Sequence, residues 1–420
     1  MHPVETHANG ENFDLRQVLL RGRTLRLRDR TEFLGAFLGE LNNRRENLCL
    51  RTVSSAADRQ VSVIDPYTNR PKTMLMFGSN NYLGLANHPY VCKRAEEAVR
   101  KYGVGVGGPP LLNGYTGLHR ELEERLAALK GAEDALVFSS GYGANVGLVT
   151  GLMNTGDTVL YDAYSHASFT DGITMSGVQS HRFPHNAIDR LASMLALPRA
   201  AGTDTFVGVE GVYSMDGDLA PLDRILPMCN AHGAILIVDD AHGTGVMGPA
   251  GRGTAEHFGI EGRVDVTMGT FSKAFAVTGG FVASSKPITD YLRYFSRSYM
   301  FSASLPPVVI ASVLAGLDVI EREPGLLQRF RDNVCYAARG LSGIGFELDP
   351  PAGIIPLRVP AGMNIRKMAA AFHDRGIFVN SVEFPAVPVS QQRFRISIMA
   401  SHTRDDIDRL VEAVGEVWKQ

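Results

Sequence analysis

The stretch Val264-Asp-Val-Thr-Met-Gly-Thr-Phe-Ser-Lys273-Ala-Phe275 passes from a buried-strand pattern into a turn of small residues that ends in a lysine. Upstream, a second apolar strand, Ala234-Ile-Leu-Ile-Val238, runs straight into Asp239-Asp240-Ala241-His242. A lysine able to form a Schiff base, with an acid and an imidazole at the ends of separate strands, is the set of groups that holds pyridoxal 5'-phosphate (PLP). The lysine binds the aldehyde carbon, and a buried acid keeps the pyridine nitrogen protonated so that the ring accepts electrons. A solvent-exposed lysine is the competing reading. A lysine closing a small-residue turn at the end of a buried strand argues against it.

Short apolar runs lie on both sides of this stretch: Ala135–Phe138, Thr158–Tyr161, Phe206–Val209, Ala234–Val238, Val264–Met268 and Gly280–Ala283. Most are continuous rather than alternating, which predicts a parallel sheet covered by helices on both faces. Polar and glycine-rich residues follow the strands, where ligands bind in open α/β sheets. Leu118, Leu122, Leu126 and Leu129 recur at helical spacing, and Lys130-Gly131 supplies a stop. After about residue 300 the pattern changes. Ser304-Leu-Pro-Pro307 breaks the chain, a helix is predicted over Val308–Glu323, and strands and helices then alternate over Ile355–Val359, Met363–Arg375, Phe378–Asn380, Arg393–Ile398 and Thr403–Lys419. That is the pattern of a smaller α+β domain. Nearer the start, residues 31–46 read as helical, and Asp65-Pro-Tyr-Thr-Asn-Arg-Pro71 as a turn between short strands. The expected organisation is an N-terminal arm over 1–65, a large domain over 66–308 and a small C-terminal domain over 309–420. Residues 1–12 are expected to be disordered.

The chain has 420 residues, 45% hydrophobic and 20% charged, with a net charge of -2. Such a balance gives no electrostatic case for nucleic acid or for an anionic membrane. No apolar run reaches the roughly 20 residues that span a bilayer, and the polar N-terminus lacks a signal-peptide core. Cys49, Cys92, Cys229 and Cys335 are scattered, without metal-ligand or redox spacing, as reduced thiols of a cytoplasmic protein would be. No metal is expected, since Asp216-Gly217-Asp218 reads as a turn. Arg16, Arg21, Arg23, Arg26, Arg28 and Arg30 form a basic segment. It reads as a solvated face or a dimer-contact arm, with the phosphates of an acyl carrier as the sharper alternative.

Further candidates follow the other strands. Gly141-Tyr142-Gly143 precedes a helix-like run, so free N–H groups and a helix end could meet a phosphate; a plain strand-to-helix turn is the alternative. His166 could stack on a flat ring or be structural. Asp239 ends a buried strand at a desolvation cost that a protonated pyridine would offset, and His242, three residues on, could reach the adjacent phenolic oxygen. Ser214 could bond the ring oxygen or the substrate, and Thr270 and Ser272 the phosphate. Arg395 lies on an alternating strand and suits a substrate carboxylate, but Arg393 has the same parity.

Together these residues strongly resemble the α-oxoamine synthases from about residue 75 to 415. The resemblance rests on Ser79-Asn-Asn-Tyr-Leu-Gly-Leu85, Ser165-His-Ala-Ser168, Glu210-Gly-Val-Tyr-Ser-Met-Asp-Gly-Asp218, Asp239-Asp-Ala-His-Gly-Thr-Gly245, Gly251-Arg-Gly253, Thr270-Phe-Ser-Lys273, and Arg395 followed by Ser401-His-Thr403. It implies PLP fold type I, with a mostly parallel seven-stranded sheet. It also implies a condensation of a small amino acid with an acyl thioester that gives an α-amino ketone, CO2 and a free thiol. By resemblance, Lys273 is the Schiff-base lysine, His166 stacks on the ring, Asp239 pairs with its nitrogen, and His242 and Ser214 contact its oxygen. Gly141, Tyr142 and Thr270 would hold the phosphate, helped by Ser302 or Ser304 of a second subunit in a homodimer with shared active sites. Arg395, rather than Arg393, would take the carboxylate, assisted by Asn80.

Within the family, Leu111-Leu-Asn-Gly-Tyr-Thr-Gly-Leu-His119, Phe384-Pro-Ala-Val-Pro388 and Ile398-Met-Ala-Ser-His-Thr403 lean towards serine palmitoyltransferase. That leaning implies serine, a long-chain acyl-CoA and sphingolipid metabolism, and a long-chain product would favour peripheral membrane contact. The alternatives are synthases of the 8-amino-7-oxononanoate or 2-amino-3-ketobutyrate CoA ligase type, use of an acyl carrier protein as donor, an aminotransferase or lyase on the same fold, and a non-catalytic partner subunit. The presence of Lys273 disfavours the last. Gly107-Gly108-Pro109-Pro110 stands where relatives often carry a small residue and Arg, which puts substrate specificity in question but not the reaction class. Lys273→Ala is expected to abolish turnover and the borohydride-reducible visible band; a band retained in the variant refutes the assignment.

Overall fold

The computed structural model describes residues 15–419, so the expectation for residues 1–12 lies outside the described residues. Three strands come first: β1 (Thr52–Val53), β2 (Gln60–Ile64) and β3 (Pro71–Met76). Seven more build the central sheet: β4 (Asp134–Phe138), β5 (Thr158–Asp162), β6 (Gln179–Phe183), β7 (Thr205–Glu210), β8 (Ile235–Asp239), β9 (Val266–Thr270) and β10 (Gly280–Ser284). Their spatial order is β4-β10-β9-β8-β7-β5-β6. β10 runs antiparallel to both neighbours, and every other pair is parallel. Helices cover both faces, which explains the continuous apolar runs. In β8, Leu236 and Val238 join one hydrophobic cluster with Leu191 and Ile225, while Ile237 joins another with Leu148 and Phe169.

β6 is the central-sheet strand that apolar pattern does not predict. Four of its five residues, Gln179 to Arg182, are exposed, and only Phe183 is buried. It is an edge strand, specified by pairing with β5 rather than by burial.

β11 (Ile354–Arg358), β12 (Ile377–Phe378), β13 (Asn380–Val382) and β14 (Arg393–Ser397) complete the set. β11, β14 and β13 form an antiparallel three-stranded sheet. β12 instead pairs in parallel with β3 and closes a four-stranded sheet. The single strand expected over Phe378–Asn380 is therefore two, and the chain passes between sheets at Val379. Arg51 donates a 3.1 Å hydrogen bond to the Val379 carbonyl at this crossing. The pairing of β2, β3 and β12 also runs across the boundary expected at residue 65 and ties the early segment to the C-terminal part. The early helix spans Leu27–Asn43, and the helix after the Pro-Pro break spans Pro307–Arg322. The leucine-spaced helix, Gly117–Lys130, stops at Gly131, whose φ of 64° is left-handed.

Beyond β6, His185 bridges Asp162 at the end of β5 (3.0 Å) and Asp218 (2.8 Å), and stacks on Tyr164 at 4.2 Å. Burial acts to lower its pKa, but Asp162 and Asp218 outweigh burial and push it up to about 9. A folded pKa above the unfolded value of about 6.5 means that this bridge stabilises fully below the unfolded pKa, and that its contribution is lost as pH rises through about 9. Urea unfolding at rising pH should show that loss, and His185→Gln should flatten it.

Candidate active site

The candidate residues converge where strands end. β8 delivers Asp239 and then His242, β9 delivers Thr270 and then Lys273, β7 delivers Glu210 and then Ser214, and His166 follows β5. Lys273 stands between Phe271 and Phe275, both essentially fully buried. Its amine makes no hydrogen bond among the described residues. Burial lowers its pKa, Asp239 and Glu210 oppose that, and Arg395 adds to it, leaving a value of about 8.

The two acids after β8 have different partners. Asp240 accepts from Lys130 Nζ at 2.7 Å, and Thr254 supplies its backbone N–H and hydroxyl at 3.1 and 2.7 Å. A Cβ on Gly253 would come 1.9 Å from Asp240, and one on Gly243 would come 2.1 Å from it, so the backbone wraps this carboxylate closely. Asp239 is also buried, but receives only the Asn145 amide (2.7 Å) and the Ala241 N–H (3.1 Å). It has no ion-pair partner among the described residues. A buried carboxylate without a bonded cation suits a group that brings its own positive charge.

His242 is buried, and its Nδ1 lies 2.8 Å from the Tyr82 hydroxyl. Burial, then the charges of Lys273 and Arg395, hold its pKa well below the usual imidazole range. Arg395 donates to the Ser214 carbonyl (2.6 Å), Asn80 Oδ1 (2.9 Å) and the Tyr82 hydroxyl (3.4 Å). No carboxylate pairs with it among the described residues. Arg393, the rival by parity, is fully buried and committed to the Asp216 carboxylate, the Met215 carbonyl and Gln391. Strand parity does not separate the two arginines; their partners do.

The helix Gly141–Leu152 starts after Ser140, whose hydroxyl accepts the Gly143 N–H at 2.9 Å. A Cβ on Gly141 would come 2.8 Å from Thr270 Oγ1, so glycine lets the helix start pack on the end of β9. Thr270 and Ser272 hydroxyls lie 2.9 Å apart there. The Tyr142 hydroxyl bonds Asp171, leaving its backbone N–H as its contribution to an anion site. No hydrogen bond joins Ser302 or Ser304 to these groups within the chain. The Ser304 N–H donates to Gly108 O at 3.1 Å and its buried hydroxyl has no partner, which sets it against the Gly107–Pro110 loop.

Four residues at the site carry no role in the sequence pattern. Tyr82 lies inside the Ser79–Leu85 motif. Lys130 read as a helix stop, although it neutralises Asp240. Asn145 is a buried amide in an apolar helix, which is itself a signal. Glu210 ends a buried strand as Asp239 does, and the two are in-register partners. Burial and then the Asp239 charge push the Glu210 carboxyl well above the usual range, and its Oε1 has no partner. The residues fit PLP: an amine without a bonded partner, a buried carboxylate without a bonded cation, and a helix start open to a phosphate.

The family model for aminotransferase class I and II matches residues 72–414. The chain is 40% identical over 353 residues to a serine palmitoyltransferase of Bacteriovorax stolpii, covering 84% of each. It is 41% identical over 352 residues to an 8-amino-7-oxononanoate synthase of Geotalea daltonii, covering 83% of this chain and 90% of that one. A solved variant of the serine palmitoyltransferase of S. paucimobilis with a bound PLP–myriocin aldimine superposes with a TM-score of 0.87 at 32% identity, over 94% of this chain and 99% of the other. Arg395→Ala should weaken amino-acid binding about ten- to a hundredfold with little change in unfolding midpoint. Arg393→Ala should instead destabilise the fold by about 3 kcal/mol, because it removes a fully buried guanidinium and leaves Asp216 only the exposed Arg358 at 3.4 Å. Spectral titration and urea unfolding check both; unchanged amino-acid affinity in the first variant moves the role elsewhere.

Proposed function

The chain belongs to the aminotransferase class I and II family and, within it, to the α-oxoamine synthases, PLP-dependent acyltransferases that condense an amino acid with an acyl thioester; from that premise we propose that it joins serine to a long-chain acyl-CoA as a homodimer. Arg395 carries the reading: a buried guanidinium with no carboxylate partner among the described residues, braced by Asn80 beside the Lys273 amine, is built for an amino-acid carboxylate. The serine and long-chain preferences are supported by the three sequence stretches and by likeness to the serine palmitoyltransferases. In this reading the product is an α-amino ketone, released with CO2 and free thiol, and the pathway is sphingolipid metabolism.

When bound, PLP supplies an aldehyde that captures the substrate amine and a protonated ring that delocalises charge from Cα. The chain's own residues do the rest. Arg395 and Asn80 fix the carboxylate and so set which bond at Cα faces the ring. Lys273 Nζ, with a pKa of about 8, takes the Cα proton and can return one. Asp239, gripped by Asn145, balances the positive ring. His242, its pKa held well below the usual imidazole range and its ring bonded to Tyr82, would meet the ring oxygen together with Ser214. Gly141, Tyr142, Thr270 and Ser272 would hold the phosphate, with Ser302 or Ser304 of a second subunit completing that site. His166 would stack on the ring.

The 8-amino-7-oxononanoate synthases, equally similar in sequence, favour a second reading in which another amino acid and donor are used. Mass spectrometry of products from serine, alanine and glycine, each with long- and short-chain acyl-CoA, separates the two. Serine-dependent thiol release and a long-chain amino ketone are expected. Preference for alanine or glycine, or for a short donor, overturns the serine reading. Thiol release without any amino acid overturns the reaction class.

A further inference from the structure

Between the helix Gly141–Leu152 and the helix Ala167–Ser176 a chain of hydrogen bonds runs from Asp239 through Asn145 and Ser168 to His166. Asn145 Nδ2 donates to Asp239 Oδ2 at 2.7 Å and to Ser168 Oγ at 2.9 Å. Ser168 Oγ lies 2.7 Å from His166 Nδ1, and the Ser168 backbone N–H reaches the same nitrogen at 3.2 Å. Asn145 and Ser168 are essentially fully buried.

The direction of each bond can be assigned. A carboxylate only accepts, so Asp239 draws the amide's NH2 towards itself; the flipped amide would set oxygen against oxygen. The buried Asn145 Oδ1 is left without a partner, so the amide keeps this orientation at a local cost. Ser168 Oγ then accepts from Asn145, and its single proton is free for His166 Nδ1. The Ser168 N–H can only donate to that nitrogen. Two donors therefore converge on Nδ1, and it must be an acceptor. A proton there would face the Ser168 N–H directly.

We propose that Asn145 and Ser168 are positioning residues that hold His166 as its neutral Nε2–H tautomer, with the direction of the relay set by the negative charge of Asp239. His166 Nε2 has no hydrogen bond among the described residues, so the relay presents an N–H in the ring plane to an acceptor oxygen of the substrate. Groups facing the imidazole are Asp239 and Glu210 at the ends of β8 and β7, Lys273 after β9, His242 after β8, and Asp171 on the helix that His166 caps. Burial lowers the His166 pKa, and the relay acts in the same sense by denying Nδ1 a proton. This deepens the proposed function and rests on it only for the identity of the acceptor.

The test is 15N NMR of the holoenzyme labelled at histidine, with the His166 signals assigned by their loss in His166→Gln. An acceptor-type Nδ1 and a protonated Nε2 are expected, without conversion to the cation across neutral pH. Ser168→Ala removes one of the two donors and should raise the cationic fraction at a given pH by about tenfold. Asn145→Ala should release the serine proton and give mixed tautomer signals. A protonated Nδ1 in the unaltered protein, or a His166 response unchanged in Ser168→Ala, overturns the inference. If Asn145→Ala does not fold, the unaltered protein and Ser168→Ala still decide. The visible cofactor band, recorded on the same samples, tests the PLP reading separately, because the tautomer is read from nitrogen shifts alone.

Discussion

A buried carboxylate with no bonded cation among the described residues organises this molecule. Asp239 sits at the carboxyl end of a central strand, gripped by one amide and one backbone N–H. Its neighbour Asp240 shows what a self-sufficient buried acid looks like: a lysine at 2.7 Å, a threonine that donates twice, and glycines packed against both oxygens. The same strand end thus carries one satisfied carboxylate as a structural anchor and one left open for a ligand. Removing Lys130 would leave the anchor charged and buried, the arrangement that costs folded proteins most.

The cationic side of the site obeys the same logic. Arg393 and Arg395 alternate on one strand and both are buried, but Arg393 is consumed by Asp216 while Arg395 meets only neutral oxygens. Lys273, between two buried phenylalanines, is pulled down to about 8 and becomes an amine able to exchange protons near neutrality. Unlike charges held apart at the strand ends suit a zwitterionic substrate and a charged cofactor that complete them.

Much of this was legible in the chain itself. The turn before Lys273, the acids after Val238 and the continuous apolar runs were enough to indicate a doubly covered parallel sheet with a ligand at the strand ends. Burial leaves a compositional trace, so a buried strand announces itself. The edge strand β6 left none, because its residues face solvent and its existence depends on a neighbour. The split of the run near Val379 into two strands was hidden for the same reason: sheet membership is a property of partners.

What the amino-acid order determined alone was which chemical groups could meet: an amine, buried acids, imidazoles and guanidinium groups, each at the end of a predictable element. What tertiary structure alone decided was which member of each pair stays unpaired. Asp239 and Asp240 are adjacent, and Arg393 and Arg395 share parity, so no local pattern separates them. Their fates are set by Lys130, 110 residues from Asp240, and by Asp216, 177 residues from Arg393. Charge neutralisation acts through space over a few ångströms, and only the folded chain fixes those distances.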